Sequence, residues 1–320
     1  MTKKPDLAAL FGATDATTFL GLASCSDFDA IDASSAFIGA PCATPYGSVG
    51  AYAQNGPASL RKAIASLTAN IDRHNFDLGG PTFPANSKRA VDCGDLPWSE
   101  TDFAQNRATI RAAVSTIVGR GVVPIVVGGD DSVPIPMLDA MRDTGKSYTI
   151  LQIDAHIDWR DSHMGESLGL SSTMRRASEM PHINKIVQVG ARSIGSGHTA
   201  DFDAAKAWGA QFFTGPDIHR QGLQPAIDQI DPGSEVILCI DIDAMDPAIA
   251  PNTIGRTPGG LSYYQVFELV TAVANRGRIA AVDFVEIMPE VDIDGIGGLT
   301  VSRLVAATMG VIARQAVSEG

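Results

Sequence analysis

The 320-residue sequence predicts an α/β fold built on a parallel sheet covered on both faces. Three observations predict it. Apolar runs such as VVPIVVGG (122–129) and EVILCIDID (235–243) lack the alternation of a half-exposed strand. Helical stretches separate these runs. Gly is frequent, at 32 residues, as many tight βα turns require.

Residues 1–35 are mixed and acidic, without a clear period, and read as an N-terminal arm. AFIGA (36–40) reads as a buried strand ending in Gly and Pro, and NGPASLRKAIASL (55–67) as a helix with Pro57 near its start. RAVDCGD (89–95) is a second strand. Residues 101–121 place Phe103, Ile110, Val114 and Ile117 on one helical face and close on glycine. Strands follow at 122–132, 148–156, 185–192, 235–243 and 278–286, with helices at 262–275 and 298–317. No linker, repeat or low-complexity tract breaks residues 36–320, which read as one domain. The irregular stretches 41–55, 158–170 and 244–260 are candidate active-site loops.

Hydrophobic residues make up 45% of the chain and charged residues 19%, enough for a large core. The formal net charge of -12 argues against nucleic acid or an anionic membrane as partner, and suits a cationic substrate or metal ions. Cys25, Cys42, Cys93 and Cys239 show no CxxC spacing and read as reduced thiols. MTKKPDLAAL lacks the apolar segment of a secretory signal, and no uninterrupted apolar run approaches the ~18 residues of a membrane span. The expectation is a soluble, cytoplasmic protein.

Acidic and His residues crowd the C-terminal ends of four strands: Asp130 and Asp131; Asp154, His156 and Asp158; Asp241, Asp243 and Asp246; Asp283 and Glu286. Ligands bind at that edge of an open parallel sheet. One such carboxylate could simply cap the next helix; four strands sharing the pattern call for another cause. On an extended strand, residues i, i+2 and i+4 share a side, so Asp154, His156 and Asp158 should converge, as should Asp241 and Asp243. So many close carboxylates repel unless cations neutralise them. Two divalent ions ~3.5–4 Å apart would do so, and would activate a shared water.

GGDDS (128–132), DAHID (154–158) and DIDAMDP (241–247) resemble the signature blocks of the ureohydrolases, which include arginase and agmatinase. GPASLR (56–61), VDCGD (91–95), VQVGAR (187–192), PGGL (258–261) and VDFVE (282–286) agree, so the resemblance runs from residue 36 to the end. It implies a three-layer αβα fold around an eight-stranded, mainly parallel sheet. It also implies two metals, usually manganese, and assembly into trimers or hexamers. Carried over by motif, Asp154 and Asp241 bridge the metals, Asp158 completes the first site, and His156 and Asp243 complete the second. Glu286 matches the acidic residue that binds the substrate guanidinium, and Asp283 a supporting neighbour. The implied reaction is attack of the activated water on the guanidinium carbon, then collapse to an amine and urea (or a substituted urea).

Two departures bear on substrate and metal. The first block normally reads GGDHS, so Asp131 stands where a His ligand is expected. Asp131 can still ligate, and an all-oxygen site favours manganese or magnesium; alternatively Asp131 does not ligate and one ion binds weakly. The usual proton-shuttling His-Gly pair falls on Leu168 and Gly169. His163 and Glu166 are the nearby stand-ins, or simply solvated loop residues. Trp159 is either a flat wall for a compact substrate or loop packing. Arg175 and Arg176 either contact a substrate carboxylate or pair with neighbouring acids. The leading expectation is a metal-dependent amidinohydrolase acting on an agmatine-like small guanidine. One alternative is a guanidine or biguanide (metformin-type) hydrolase, nickel-dependent and part of a hetero-oligomer. Another is a non-catalytic partner subunit of an active paralogue.

Overall fold

A computed structural model describes residues 16–318. Its strands, in chain order, are β1 (Ala23–Ser24), β2 (Ser35–Ala40), β3 (His74–Asn75), β4 (Gly80–Pro81), β5 (Val91–Asp95), β6 (Val123–Gly128), β7 (Tyr148–Ile153), β8 (Ile183–Val189), β9 (Gln211–Phe213), β10 (Glu235–Asp241) and β11 (Arg278–Val285). Nine of them form one sheet in the order β1-β5-β2-β6-β11-β10-β7-β8-β9, every pair parallel. The resemblance implies eight strands. The difference lies at the edges, where β1 has two residues and β9 three, too short to register as apolar runs.

Side chains alternate across the sheet into two cores. Val236, Leu238 and Ile240 of β10 join one, Ile237 and Cys239 the other. The helices Gly56–Ile64, Tyr263–Arg276 and Ile296–Ser318 cover the first face, and Phe103–Gly119, Pro134–Ala140 and Thr173–Ser178 the second, giving the three-layer αβα arrangement. The longer helices start where the sequence places a cap. Asp102 accepts Gln105 N–H at 2.9 Å, and Ser262 with Gln265 forms a capping box. Residues 16–35 meet the sheet through β1, and Phe19 is buried, stacked on Phe37 at 4.9 Å.

The helix Ile296–Ser318 is long and apolar enough to cross a membrane, yet 78% of its most apolar window is buried. Leu304, Val305, Met309 and Ile312 pack into the first core, and interruptions such as Arg303 and Thr308 hide this helix from a search for unbroken apolar runs. It is a core helix.

Two supporting motifs are structural. Arg61 forks onto Asp92 at 2.8 and 2.9 Å, reaches Asp95 at 2.5 Å and lies over the Phe37 ring, tying the helix Gly56–Ile64 to β5 and β2.

Candidate metal centre

Register brings the acidic strand ends into one row. Asp241 lies beside Val285, and Ile240 beside Ile153, so Asp154 follows beside Asp241. Glu286 N–H donates to the Gly129 carbonyl at 2.8 Å, which sets Asp131 against the end of β11. The four contributing strands, β6, β11, β10 and β7, are neighbours at the centre of the sheet. The chain leaves β6 and re-enters at β7, with β11 and β10 filling the gap later; ligands bind at such a switch point.

Strand alternation is not what makes these residues converge, and here the sequence reading needs correction. β7 ends at Ile153 and β10 at Asp241, so the pleat stops before the acidic runs are complete. Each run curls instead through an Asp side chain that accepts the N–H two residues on: Asp154 Oδ1 from His156 at 2.6 Å, Asp241 Oδ1 from Asp243 at 2.7 Å. Asp158 and Glu286 sit at φ of 51° and 65°, left-handed backbone that costs a non-glycine residue about 1–2 kcal/mol.

Two clusters result. Potential ligand atoms of Asp131, Asp154 and Asp241 lie within 4.8 Å of one another, and so do those of Asp154, His156 and Asp243. Asp154 belongs to both. His156 Nδ1 stands 2.9 Å from Asp243 Oδ2 and 3.5 Å from Asp154 Oδ1. Asp158 lies alongside, its Oδ2 accepting from Gln152 Nε2 at 2.6 Å. The approach to Asp243 explains Gly255: a Cβ there would stand 2.5 Å from Asp243 Oδ2 and 3.0 Å from His156 Cε1.

The donor set fits divalent cations. Asp131 Oδ2 is buried without a hydrogen-bond partner among the described residues, although it faces two other carboxylates. Burial first, then neighbouring carboxylates, pushes Asp131, Asp158 and Asp241 well above the usual carboxylate range. Burial works against a charged His156, but Asp154 and Asp243 override it and push the imidazole up to about 12. A bound dication would have to displace that proton.

Arg192 organises the second cluster from below. Buried, it donates to carbonyls on both sides of the site, among them Asp243 at 2.8 Å, Ala244 at 3.1 Å and Thr257 at 2.6 Å. Asp246 ties the same loops by accepting from Ala248, Gly259 and Gly260 at 3.0–3.1 Å. Asp283 Oδ1 accepts Ile240 N–H at 3.1 Å, and burial pushes its carboxyl up to about 7. Asp130 is held by Ser132 N–H at 3.0 Å and caps the following turn.

The clusters floor a cleft of about 230 Å³ lined in part by Asp131, His156, Asp158, Asp241, Asp243 and Glu286. Glu286 is 3% exposed. Its Oε1 accepts from Tyr52 Oη at 2.5 Å and Asp131 N–H at 3.0 Å. Burial pushes the Glu286 carboxyl up to about 8, against those two hydrogen bonds.

Other expected residues lie elsewhere. His163 and Glu166 are not among the cleft-lining residues. They pair backbone to backbone across a tight turn; His163 Nδ1 meets Arg160 at 2.9 Å and Glu166 accepts Leu168 N–H at 2.7 Å. Trp159 borders the cleft, but its indole is 2% exposed and turned into the core, where Nε1 donates to Gln188 at 2.8 Å. It offers no exposed wall. Arg175 and Arg176 pair with Asp161 and Glu179.

The residues that sequence reasoning missed are Tyr52, Gln152, Gln188 and the 195–201 segment. Two carried a signal: Gln152 and Gln188 are amides flanked by apolar residues near the C-terminal ends of β7 and β8. Tyr52 sits in a loop already marked as a candidate, without spacing to single it out.

A model of the arginase family matches residues 33–310. The chain belongs to the arginase family. It is 28% identical over 299 residues to the guanidinobutyrase of Pseudomonas aeruginosa, covering 90% of each chain. It is 29% identical over 241 residues to an agmatinase of Bacillus anthracis, covering 74% of this chain and 78% of that one. A formimidoylglutamase structure from Bacillus subtilis superposes with a TM-score of 0.79 at 22% identity over 93% of this chain and 92% of that one, a likeness of fold. As an arginase-family member, the chain is a metal-dependent amidinohydrolase.

Removing metal from this arginase-family protein should make its stability fall as pH rises. Glu286, Asp283, Asp131 and Asp241 hold protons in the fold above the ~4 at which unfolded carboxylates ionise. The folded state therefore binds more protons than the unfolded state, and stability drops with pH from ~4 through the folded values of about 7 to about 8. Thermal unfolding in EDTA should show a lower Tm at pH 8 than at pH 5.5, with manganese removing the difference. A Tm that rises over that window would show that the carboxylates titrate normally.

Proposed function

We propose that the chain hydrolyses the guanidine C–N bond of a small, agmatine-like guanidine, releasing urea (or a substituted urea) and an amine. The observation that carries this reading is the pair of ligand clusters sharing Asp154 beneath a small cleft that also holds Glu286. Asp131, Asp154, Asp158 and Asp241 would hold one divalent ion; Asp154, Asp241, His156 and Asp243 the other. Manganese suits the oxygen-rich set better than nickel. When bound, the ions supply Lewis acidity and a water of lowered pKa.

The chain's own residues supply the rest. Glu286 offsets the guanidinium charge, positioned by Tyr52 and the Asp131 N–H. Asp158, aimed by Gln152, is the carboxylate we assign to proton transfer. Ile157, Leu170 and Ile254 line the walls and match a short methylene chain better than bare guanidine. Asp201 also lines the cleft, and its carboxylate suits a far amine. Arg160 lines it too, and favours a second reading in which the far group is a carboxylate, as in a guanidino acid. Assembly as a trimer or hexamer goes with the same reading.

A urea-release panel tests it: agmatine, guanidinobutyrate, arginine, guanidine and metformin, with manganese and nickel in parallel. Turnover of agmatine above the others is expected. Preference for guanidinobutyrate installs the second reading, and activity confined to guanidine or metformin installs the biguanide alternative. No bound metal and no urea from any compound would leave the partner-subunit alternative.

A further inference from the structure

Beneath the carboxylates, behind the Gln152 that aims Asp158, runs a chain of buried groups. Register pairs Gln152 of β7 with Gln188 of β8, and both side chains are buried, at 1% and 2% exposure. A glutamine amide can face either way, oxygen or nitrogen outward, and two facing amides do not by themselves choose. Here both ends of the chain choose. Trp159 Nε1 can only donate, and it takes Gln188 Oε1 at 2.8 Å. The Ile157 carbonyl can only accept, and it takes Gln188 Nε2 at 2.9 Å. Gln188 Nε2 therefore also faces Gln152 Oε1, to which it donates. With its oxygen engaged, Gln152 turns Nε2 outward and donates to Asp154 Oδ2 at 2.8 Å and Asp158 Oδ2 at 2.6 Å.

Every polar atom of both glutamines is used. The reversed chain would set an amide oxygen against two carboxylates. Trp159 is locked at its end by burial against Trp208, ring centroids 6.0 Å apart.

We propose that Trp159, Gln188 and Gln152 form a positioning relay whose fixed polarity holds Asp154 and Asp158 as hydrogen-bonded carboxylates aimed at the metal centre. This rests on the metal-centre reading above. Gln152 touches both carboxylates; Trp159 acts on them through Gln188 and Gln152. Hydrogen-bond partners behind metal ligands typically set affinity by roughly 10–100-fold.

Calorimetric titration of the EDTA-stripped chain with manganese chloride tests the proposal without turnover. Gln152→Met keeps the bulk and removes both donors, and should weaken manganese binding roughly 10–100-fold. Trp159→Phe keeps the ring and removes the N–H, and should give a smaller loss in the same direction. The double variant should bind no more weakly than Gln152→Met alone, because Trp159 has nothing left to act through. Additive losses would show that Trp159 acts by packing and overturn the relay. So would wild-type affinity in either folded single variant, with Trp159→Phe as the milder change should Gln152→Met fold poorly. A wild-type chain that binds no manganese fails differently: it removes the metal-centre reading and the relay with it.

Discussion

Asp154→Ala should abolish turnover and leave the purified chain without either metal ion, whereas Asp131→Ala should lose one. Among the described residues, Asp154 belongs to both ligand clusters. Its two oxygens are also fixed by protein, Oδ1 by His156 N–H and Oδ2 by Gln152. Alanine removes a shared ligand and the turn that aims His156. Since a partner behind a ligand is worth roughly 10–100-fold in affinity, loss of the shared ligand should exceed about 100-fold. Asp131 contributes to one cluster, so its removal should spare the Asp154–His156–Asp243 group. Elemental analysis separates the cases: two ions per wild-type chain, one for Asp131→Ala, fewer than one for Asp154→Ala. Two ions and full turnover in Asp154→Ala would sink the metal mechanism. Two ions in Asp131→Ala would show that the residue standing where histidine is expected does not ligate.

The same variants separate stability from function. In the metal-free protein Asp131 is a buried carboxyl with one oxygen that has no partner among the described residues. Burying such a group unpaired is costly, so metal-free Asp131→Ala should melt higher than metal-free wild type at pH 8. The wild-type arrangement is stable where cations offset it, as expected when a fold is selected for a site and not for its own stability.

How much of this could be read from the sequence depends on what each residue answers to. Strands β6, β7, β10 and β11 were legible because a parallel strand buried on both faces must be apolar along its length. Their acidic C-terminal ends were legible for the opposite reason: charge there has no place in a core. The short helix Pro134–Ala140 and the two-residue strand β1 answer to tertiary packing, so no period announces them. The convergence of Asp154 with His156 was expected from a pleat, but Asp-anchored turns produce it. Both geometries bring residues i and i+2 together, so the residue spacing cannot tell them apart. Arg192 was legible only as part of a motif; its grip on the loops after β10 depends on chain segments far apart in sequence. His163 and Glu166 had suitable chemistry and lie near DAHID in sequence, but a tight turn with Met164 and Gly165 at positive φ carries them out of the cleft lining.

Glu286→Gln should raise KM strongly while affecting kcat less. Glu286 follows β11 and lines the cleft beside Asp131 without belonging to either ligand cluster, its Oε1 committed to Tyr52 and the Asp131 N–H. Glutamine fits the same space but cannot offset a guanidinium. A charge-assisted contact is worth ~1.5–3 kcal/mol, which is roughly 10- to 150-fold in KM. The pH dependence has a defined sign. Burial pushes the wild-type carboxyl up to about 8 in the protein alone, so the ionised fraction, and with it affinity for the cation, grows as pH rises towards that value. Bound dications shift the window down, since they favour the anion. Wild-type KM should therefore fall with rising pH, and Glu286→Gln should lose that slope. Tyr52→Phe supplies the matching control: it removes a hydrogen bond that favours the anion, so its KM should fall only at higher pH than wild type. An unchanged KM in Glu286→Gln would place the guanidinium elsewhere in the cleft, with Asp201 the next carboxylate to test.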